Sequence, residues 1–194
     1  MSAPLPFRGA ALVVALVMLV LLSLLAATGA RIALTDEKGA RASRARLQAF
    51  EAAEAGLRDG EDDLLRGARA ARFAQGSAAG FAAGCPAVGV PAPGDLASSV
   101  RGLCLPATAA SPPVWRSASL AARGVPYGTF TGEVWGLPGG SPRYLIEILP
   151  DYTAGAAIGG SQRPERNSVL YRITAEGTNP AGDHLAAVQS AFRP

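Results

Sequence analysis

The chain has 194 residues, 18 basic and 15 acidic, with a net charge of +3 and a single histidine. Lys38 is the only lysine, and the abundance of Arg, Ala and Gly reads as the codon bias of a GC-rich genome. The small positive balance therefore carries no nucleic-acid signal, and the basic run with interleaved aromatics that a nucleic-acid face needs is missing. One histidine excludes a histidine-rich metal cluster and any catalytic set built on a second histidine, so neither a metal nor another cofactor is expected.

The first nine residues, Met1-Ser2-Ala3-Pro4-Leu5-Pro6-Phe7-Arg8-Gly9, form a short leader whose one charge is Arg8. A stretch without a charge follows from Ala10 to Ala30. About twenty helical residues at about 1.5 Å each span roughly 30 Å, the hydrocarbon thickness of a bilayer. Three readings compete for this front end. An ordinary secretory signal would be cut after Ala27 or Ala30, but its apolar core is usually shorter, about 7–15 residues. An uncut anchor would keep the whole stretch. A prepilin leader would be cut after Gly9 on the cytoplasmic side, making Ala10 the new N-terminus. In the last two readings Arg8 keeps the leader cytoplasmic.

Between Pro6 and Pro86 there is no proline, whereas prolines recur every few residues from there to Pro194. A Pro-free stretch rich in Ala, Arg, Glu and Leu predicts one helix from about Ala10 to about Arg72. Its second half carries an apolar stripe, Leu47, Phe50, Ala53, Leu57, Gly60 and Leu64, with Arg44, Glu51, Arg58, Asp62 and Arg69 mostly off it. Ala53 and Gly60 are small enough to let a sheet approach closely. Gly29 and Gly39 are the expected places for a kink or local melting, because each glycine costs up to about 1 kcal/mol relative to Ala.

Residues 73–110 read as irregular connection. Cys85 and Cys104 form no CxxC pair, and beyond a membrane segment an isolated pair reads as a structural disulfide. Closing a loop of about twenty residues contributes on the order of 3 kcal/mol. Strand-like runs follow: Thr129 to Trp135, Arg143 to Leu149 (Tyr144, Ile146 and Ile148 on one face), Ser168 to Glu176 (Val169, Tyr171 and Ile173) and His184 to Phe192 (Ala186, Val188 and Phe192). Asn179-Pro180-Ala181-Gly182-Asp183 is turn chemistry and predicts an antiparallel hairpin between the last two. A long N-terminal helix laid on one face of an antiparallel sheet is an α+β domain.

Residues with chemical potential are few. Asp59-Gly60-Glu61-Asp62-Asp63 lacks the ligand spacing of a calcium loop and is expected to be a solvated helix face. Glu147 has no visible partner. His184 sits beside the turn and is expected to be exposed. Trp115 and Trp135 are expected in the core. Gly139-Gly140 and Gly159-Gly160 lack the pattern of a phosphate loop. No enzymatic role is expected.

The chain resembles the PilX group of type IV pilus minor pilins. The residues that carry the likeness are Arg8 to Leu16 and Ala49-Phe50-Glu51-Ala52-Ala53-Glu54-Ala55-Gly56-Leu57-Arg58, with weaker support from Arg143 to Glu147, Tyr171 to Gly177 and Val188 to Phe192. The resemblance implies cleavage between Gly9 and Ala10 by a prepilin peptidase and N-methylation of Ala10. It divides the chain into a leader (1–9), a transmembrane and assembly segment (10–30), an amphipathic helix (31–72) and a periplasmic β-rich head with the disulfide loop (73–194). The expected partners are the membrane, other minor and major pilins, an inner-membrane assembly platform and a tip adhesin; nucleic acid is not expected. The chain would reside in the bacterial inner membrane, single-pass with its C-terminal domain periplasmic, and then in the pilus. Most pilins carry Glu at the fifth mature position, where this chain has Val14. That departure implies a role in starting or capping the fibre, at or near its tip. Rival readings are a tip pseudopilin of type II secretion, which usually carries a larger inserted domain, and a membrane-anchored periplasmic binding protein.

Overall fold

The computed structural model describes residues 8–86, 89, 91–108, 115, 119–149, 169–183 and 185–193. It divides into two compact units, Met1–Arg44 and Ala45–Pro194. Helix α1 (Arg8–Leu65) begins in the first and continues into the second. In the second unit follow a short helix α2 (Ala70–Ala74), a 3₁₀ turn (Pro93–Ser98), β1 (Leu103–Cys104), α3 (Ser119–Arg123), β2 (Val125–Pro126), β3 (Arg143–Leu149), β4 (Leu170–Thr178) and β5 (Leu185–Phe192).

The sheet order is β1-β3-β4-β5, with β2 also paired to β3. β3, β4 and β5 form an antiparallel meander in which Ile146 pairs with Ile173 and Ile173 with Ser190. The two-residue strands β1, parallel, and β2, antiparallel, share the other edge of β3. The hairpin expected at Asn179–Asp183 is present: the Gly182 amide donates to the Asn179 carbonyl at 2.9 Å, and the Asn179 side-chain amide donates to Asp183 at 2.7 Å.

Several expectations are corrected. α1 is helical without interruption through Gly29 and Gly39, because a glycine's propensity cost does not by itself break a helix. The helix ends earlier than Arg72, at Leu65, where the Arg66 and Gly67 amides both turn onto the Asp62 carbonyl and the chain bends back. Thr129 to Trp135 is a turn and an extended segment, not a strand. Gly128 has φ +74, and a Cβ there would stand 1.8 Å from the Glu133 carbonyl oxygen, so the chain folds on itself. The 73–110 stretch holds β1, which alternation could not reveal because two residues carry no period. His184, Gly159-Gly160 and Ser168 lie outside the described residues.

The helix stripe is also shifted. Ala49, Ala52, Ala53, Leu57 and Leu64 are buried, whereas Leu47 is 61% and Phe50 48% exposed. The face that does pack is lined by small residues, which sets a short helix-to-sheet distance. A Cβ on Gly60 would stand 2.8 Å from Ile173 Cγ2. Gly177 on β4 is tighter still, since a Cβ there would lie 2.3 Å from the Ala53 amide nitrogen. The core on this face joins Leu57, Leu64, Phe73, Tyr144, Ile146, Tyr171 and Ile173. A second cluster, Cys104, Cys85, Leu120 and Leu145 with Trp115 against it, is built around the Cys85–Cys104 disulfide. Leu145 neighbours Tyr144 and Ile146 in β3, so the two clusters take up opposite faces of that strand. Hence Tyr144 to Ile148 are all buried, and β3 is the central layer.

Gly177→Val should destabilise the full chain in detergent micelles by about 1–3 kcal/mol, the usual cost of overpacking. Chemical denaturation followed by tryptophan fluorescence checks it; an unchanged midpoint would mean that helix and sheet are not in contact there.

Candidate functional site

Two regions carry the structural peculiarities of this chain. The first is the N-terminal half of α1. From Leu12 to Leu25 its large apolar side chains are exposed all round the helix, Val14 among them at 59%. A window of 18 residues there is apolar enough to cross a membrane, with none of it buried. The hydroxyls that interrupt it are satisfied internally: Ser23 donates to the Val20 carbonyl at 2.8 Å and Thr28 to the Leu25 carbonyl at 2.9 Å. Such back-bonding leaves no polar group for lipid to solvate. Gly9 and Ala10 fall in the first turn of the helix, whose leading amides have no intrahelical acceptor.

The second region anchors α1 in the sheet. Asp63 and Arg69 are both fully buried, with the guanidinium Nε 2.9 Å and Nη2 2.7 Å from Asp63 Oδ2. The Tyr144 hydroxyl donates to the same oxygen at 2.9 Å. Arg69 Nη1 donates to the Arg101 carbonyl at 2.7 Å, and its guanidinium lies 3.8 Å from the centre of the Phe130 ring. Arg101 donates in turn to the Gly124 carbonyl at 3.0 Å. One turn earlier, Asp59 accepts from the Gly128 amide at 2.8 Å and from the Thr131 hydroxyl. One helix face thus fastens β3, the 99–101 loop and the 128–131 turn.

This corrects the reading of Asp59 to Asp63 as a solvated face. Asp59 is 3% exposed and Asp63 is fully buried, both occupied by hydrogen bonds, and Arg69 is as buried as they are. Composition could not reveal it, because a turn at Gly67 rather than helix periodicity brings Arg69 back onto Asp63. Glu147, which lacked a partner in the sequence, is held by Arg172 at 2.7 and 2.9 Å across β3 and β4. Trp115 packs against the disulfide cluster, and Trp135 is half-buried, edge-on to Tyr127 with ring centres 5.5 Å apart.

Burial pushes the Asp59 carboxyl above its ordinary value, against the Thr131 hydroxyl and the Gly128 amide, which hold it down. Burial likewise drives the Tyr144 hydroxyl well above the usual tyrosine range, assisted by the Asp63 charge. Both groups are buried and hydrogen-bonded within the protein, Asp59 to Gly128 and Thr131 and Tyr144 to Asp63.

An exposed apolar helix running into an α+β head whose sheet is stapled to the same helix is the architecture of a pilin. Comparison with protein families agrees. Residues 8–58 match the PilX N-terminal model, and residues 100–194 match the model for the C-terminal part of the type IV pilus assembly protein PilX. The chain belongs to the PilX family of type IV pilus assembly proteins and is a minor pilin of that system. No curated protein and no solved structure matches it.

Removing one partner of a buried ion pair leaves the other charge unpaired. Arg69→Met should therefore cost about 3–5 kcal/mol, and Asp63→Leu combined with Arg69→Met should recover most of the loss. Denaturant titrations of the two single variants and the double variant measure the coupling; a double variant no more stable than Arg69→Met would show that the pair is not what holds the bend. Asp59 gives a pH signature. The folded chain holds the Asp59 proton at higher pH than the unfolded chain does, so protonation favours folding. The unfolding free energy of wild type minus that of Asp59→Asn should rise as pH falls from neutral toward the ordinary aspartate value of about 3.9. A flat or falling difference would show that burial does not dominate there.

Proposed function

We propose that this minor pilin acts at the start of type IV pilus assembly and stays at or near the fibre tip. The observation that carries the reading is Val14 at the fifth position of the mature chain. Cleavage after Gly9 would leave a charged amine on Ala10 inside an apolar environment, first bilayer and then fibre core. An isolated charge there costs several kcal/mol unless it is paired. In pilins that carry Glu at the fifth position, the carboxylate of the incoming subunit neutralises the amine of the subunit added before it. This chain supplies the amine and no carboxylate. It can be followed by a glutamate-bearing subunit, but it cannot satisfy a predecessor, and the place without a predecessor is the first.

The exposed apolar run from Leu12 to Leu25 supports the anchoring part of this reading, and the two family matches favour a pilus over a secretion system. The partners would be a prepilin peptidase, the inner-membrane assembly platform, the pilin that follows it and a tip adhesin. Until assembly the chain would rest in the inner membrane with residues beyond the anchor in the periplasm. No catalytic step is assigned to it.

Intact-mass and N-terminal sequencing of the protein from membranes should give an N-methylated Ala10; a start near Arg31 or an uncut Met1 would remove the basis of the proposal. Val14→Glu should move the protein from the tip into the shaft, raising its abundance in sheared pili about tenfold or more, since one restored ion pair is worth 1.4 kcal/mol or more. Abundant shaft incorporation of the wild-type chain would sink the tip position.

A further inference from the structure

Strand β1 is short for what depends on it. Its two residues, Leu103 and Cys104, pair with Ile146 and Glu147 of β3. Strands usually have about three to ten residues, and two pairings hold a strand weakly. The residues just before β1 supply acceptors to the buried Arg69: Nη1 donates to the Arg101 carbonyl at 2.7 Å and lies 3.4 Å from the Ser99 carbonyl. The next carbonyl, that of Gly102, accepts from the Ile146 amide at 2.9 Å. A slip of β1 therefore withdraws the Arg101 carbonyl from a guanidinium that has no solvent to turn to.

The segment 81–85 holds β1 from its other side. Ala82 bridges Cys104 in parallel; its amide donates to the Leu103 carbonyl at 3.3 Å, and its carbonyl accepts from the Leu105 amide at 3.0 Å. The Cys85–Cys104 disulfide closes the same contact covalently, with both cysteines buried. Cys85 has φ +57 and follows Gly84 at φ +72; among the described residues no other non-glycine lies in the left-handed region. An L side chain keeps that conformation only where its surroundings impose it. Here the Gly84 carbonyl accepts from the Arg123 guanidinium, and Cys85 is tied to Cys104. Without the tie, Cys85 relaxes toward an ordinary φ, and β1 loses its outer neighbour.

We propose that the Cys85–Cys104 bond is a redox latch on the anchoring of α1. Closed, it pins β1 and presents the Arg101 carbonyl to Arg69, so the Asp63–Arg69 pair is satisfied. Open, it frees 81–85 and β1, and the buried pair loses that acceptor. The β3–β4–β5 meander rests on its own pairings and stays. The latch closes by thiol–disulfide exchange with a protein oxidant that carries a disulfide. One cysteine thiolate attacks that disulfide to form a mixed disulfide, and the second thiolate then displaces the oxidant. Two electrons and two protons leave the cysteine pair, and the oxidant departs as a dithiol. Burial of both cysteines then shields the closed bond from reductants, so the latch closes once. Its use in the cell rests on the minor-pilin reading: a head exported to the periplasm meets such an oxidant, and one kept in a reducing cytoplasm does not. The coupling between the bond and the ion pair does not rest on it.

The test is hydrogen exchange, read by mass spectrometry on the full chain in detergent micelles, for the oxidised wild type and for Cys85→Ala with Cys104→Ala. Amides of residues 66–72 and 99–105 should exchange on the order of tenfold faster or more in the variant, with 171–178 and 186–192 unchanged. Wild type refolded in dithiothreitol lacks the bond but keeps both sulfurs, and should give the same pattern. Unchanged protection at 66–72 would overturn the latch. So would protection lost equally across β4 and β5, because the bond would then hold the whole head rather than the anchor. Denaturant titrations read the coupling: the factor by which Arg69→Met lowers the folding constant should be about tenfold smaller or more without the disulfide. Equal factors would also overturn it, since a disulfide that only restrains the unfolded chain acts independently of residue 69. Free thiols at Cys85 and Cys104 in protein taken from membranes, with the coupling intact in micelles, would overturn the use of the latch on export and count against the minor-pilin reading, a failure distinguishable from that of the latch itself.

Discussion

The buried Asp63–Arg69 pair fixes where the second half of α1 sits. Two opposite charges without solvent access are tolerated only when their remaining hydrogen-bonding capacity is used, and here Tyr144 and the Arg101 carbonyl use it. Each of those partners belongs to a different segment: Asp63 to α1, Arg69 to the bend after it, Tyr144 to the central strand and Arg101 to the approach to β1. Moving any one of them leaves a charge or a hydroxyl unsatisfied in the core. Apolar burial alone would let a smooth helix slide or rotate on a sheet; the ion pair and the Asp59 contacts select one register.

Close approach makes that register possible. A helix face of Ala49, Ala52, Ala53, Gly56 and Gly60 brings the α1 backbone within reach of Gly177 and the Tyr144 ring, so the Tyr144 hydroxyl can cross to Asp63. With a larger residue at Gly60 or Gly177 the helix would stand off and the hydrogen bonds would lengthen out of range. Small residues and buried charges are therefore parts of one arrangement. The stripe contributes little hydrophobic area of its own; its worth lies in the distance it sets.

The long-range outline of this fold is legible in the sequence, and its fastenings are not. The apolar run from Ala10, the β3 alternation at Tyr144, Ile146 and Ile148 and the turn at Asn179–Asp183 each follow from a local rule and are where the rule puts them, while the Pro-free stretch announces one long helix but overshoots its end, which falls at Leu65 rather than Arg72. The disulfide was legible from cysteine number and context. What escaped was set by tertiary contact. Leu47 and Phe50 look like core by their spacing but lie off the face that packs, which begins at the buried Ala49, and are exposed. Thr129 to Trp135 has strand composition, but the left-handed Gly128 and the pull of Asp59 on Gly128 and Thr131 make it a turn. Arg69 looks like surface because nothing local announces that Gly67 turns it inward. For the apolar N-terminal segment, exposure in the fold and hydropathy in the sequence give the same message, which is why the functional reading leans on that end.

The order in which these contacts occur along the chain has a consequence for biogenesis. α1 and α2 are made first, yet they are covered by residues made last: the Tyr171 hydroxyl reaches back to the Phe73 carbonyl of α2 across 98 positions and the Ser190 hydroxyl to Glu61 of α1 across 129. Such distant pairings form slowly, because a long loop must close before any contact rewards it. Until β4 and β5 have been synthesised, the small-residue face of α1 that packs on Ile173, Ala175 and Gly177 lies open to water and to proteases. The nascent protein therefore has a vulnerable interval whose length is set by the synthesis of its last third. A chaperone or a neighbouring helix that shielded that face in the meantime would raise the yield of folded protein without altering its final stability.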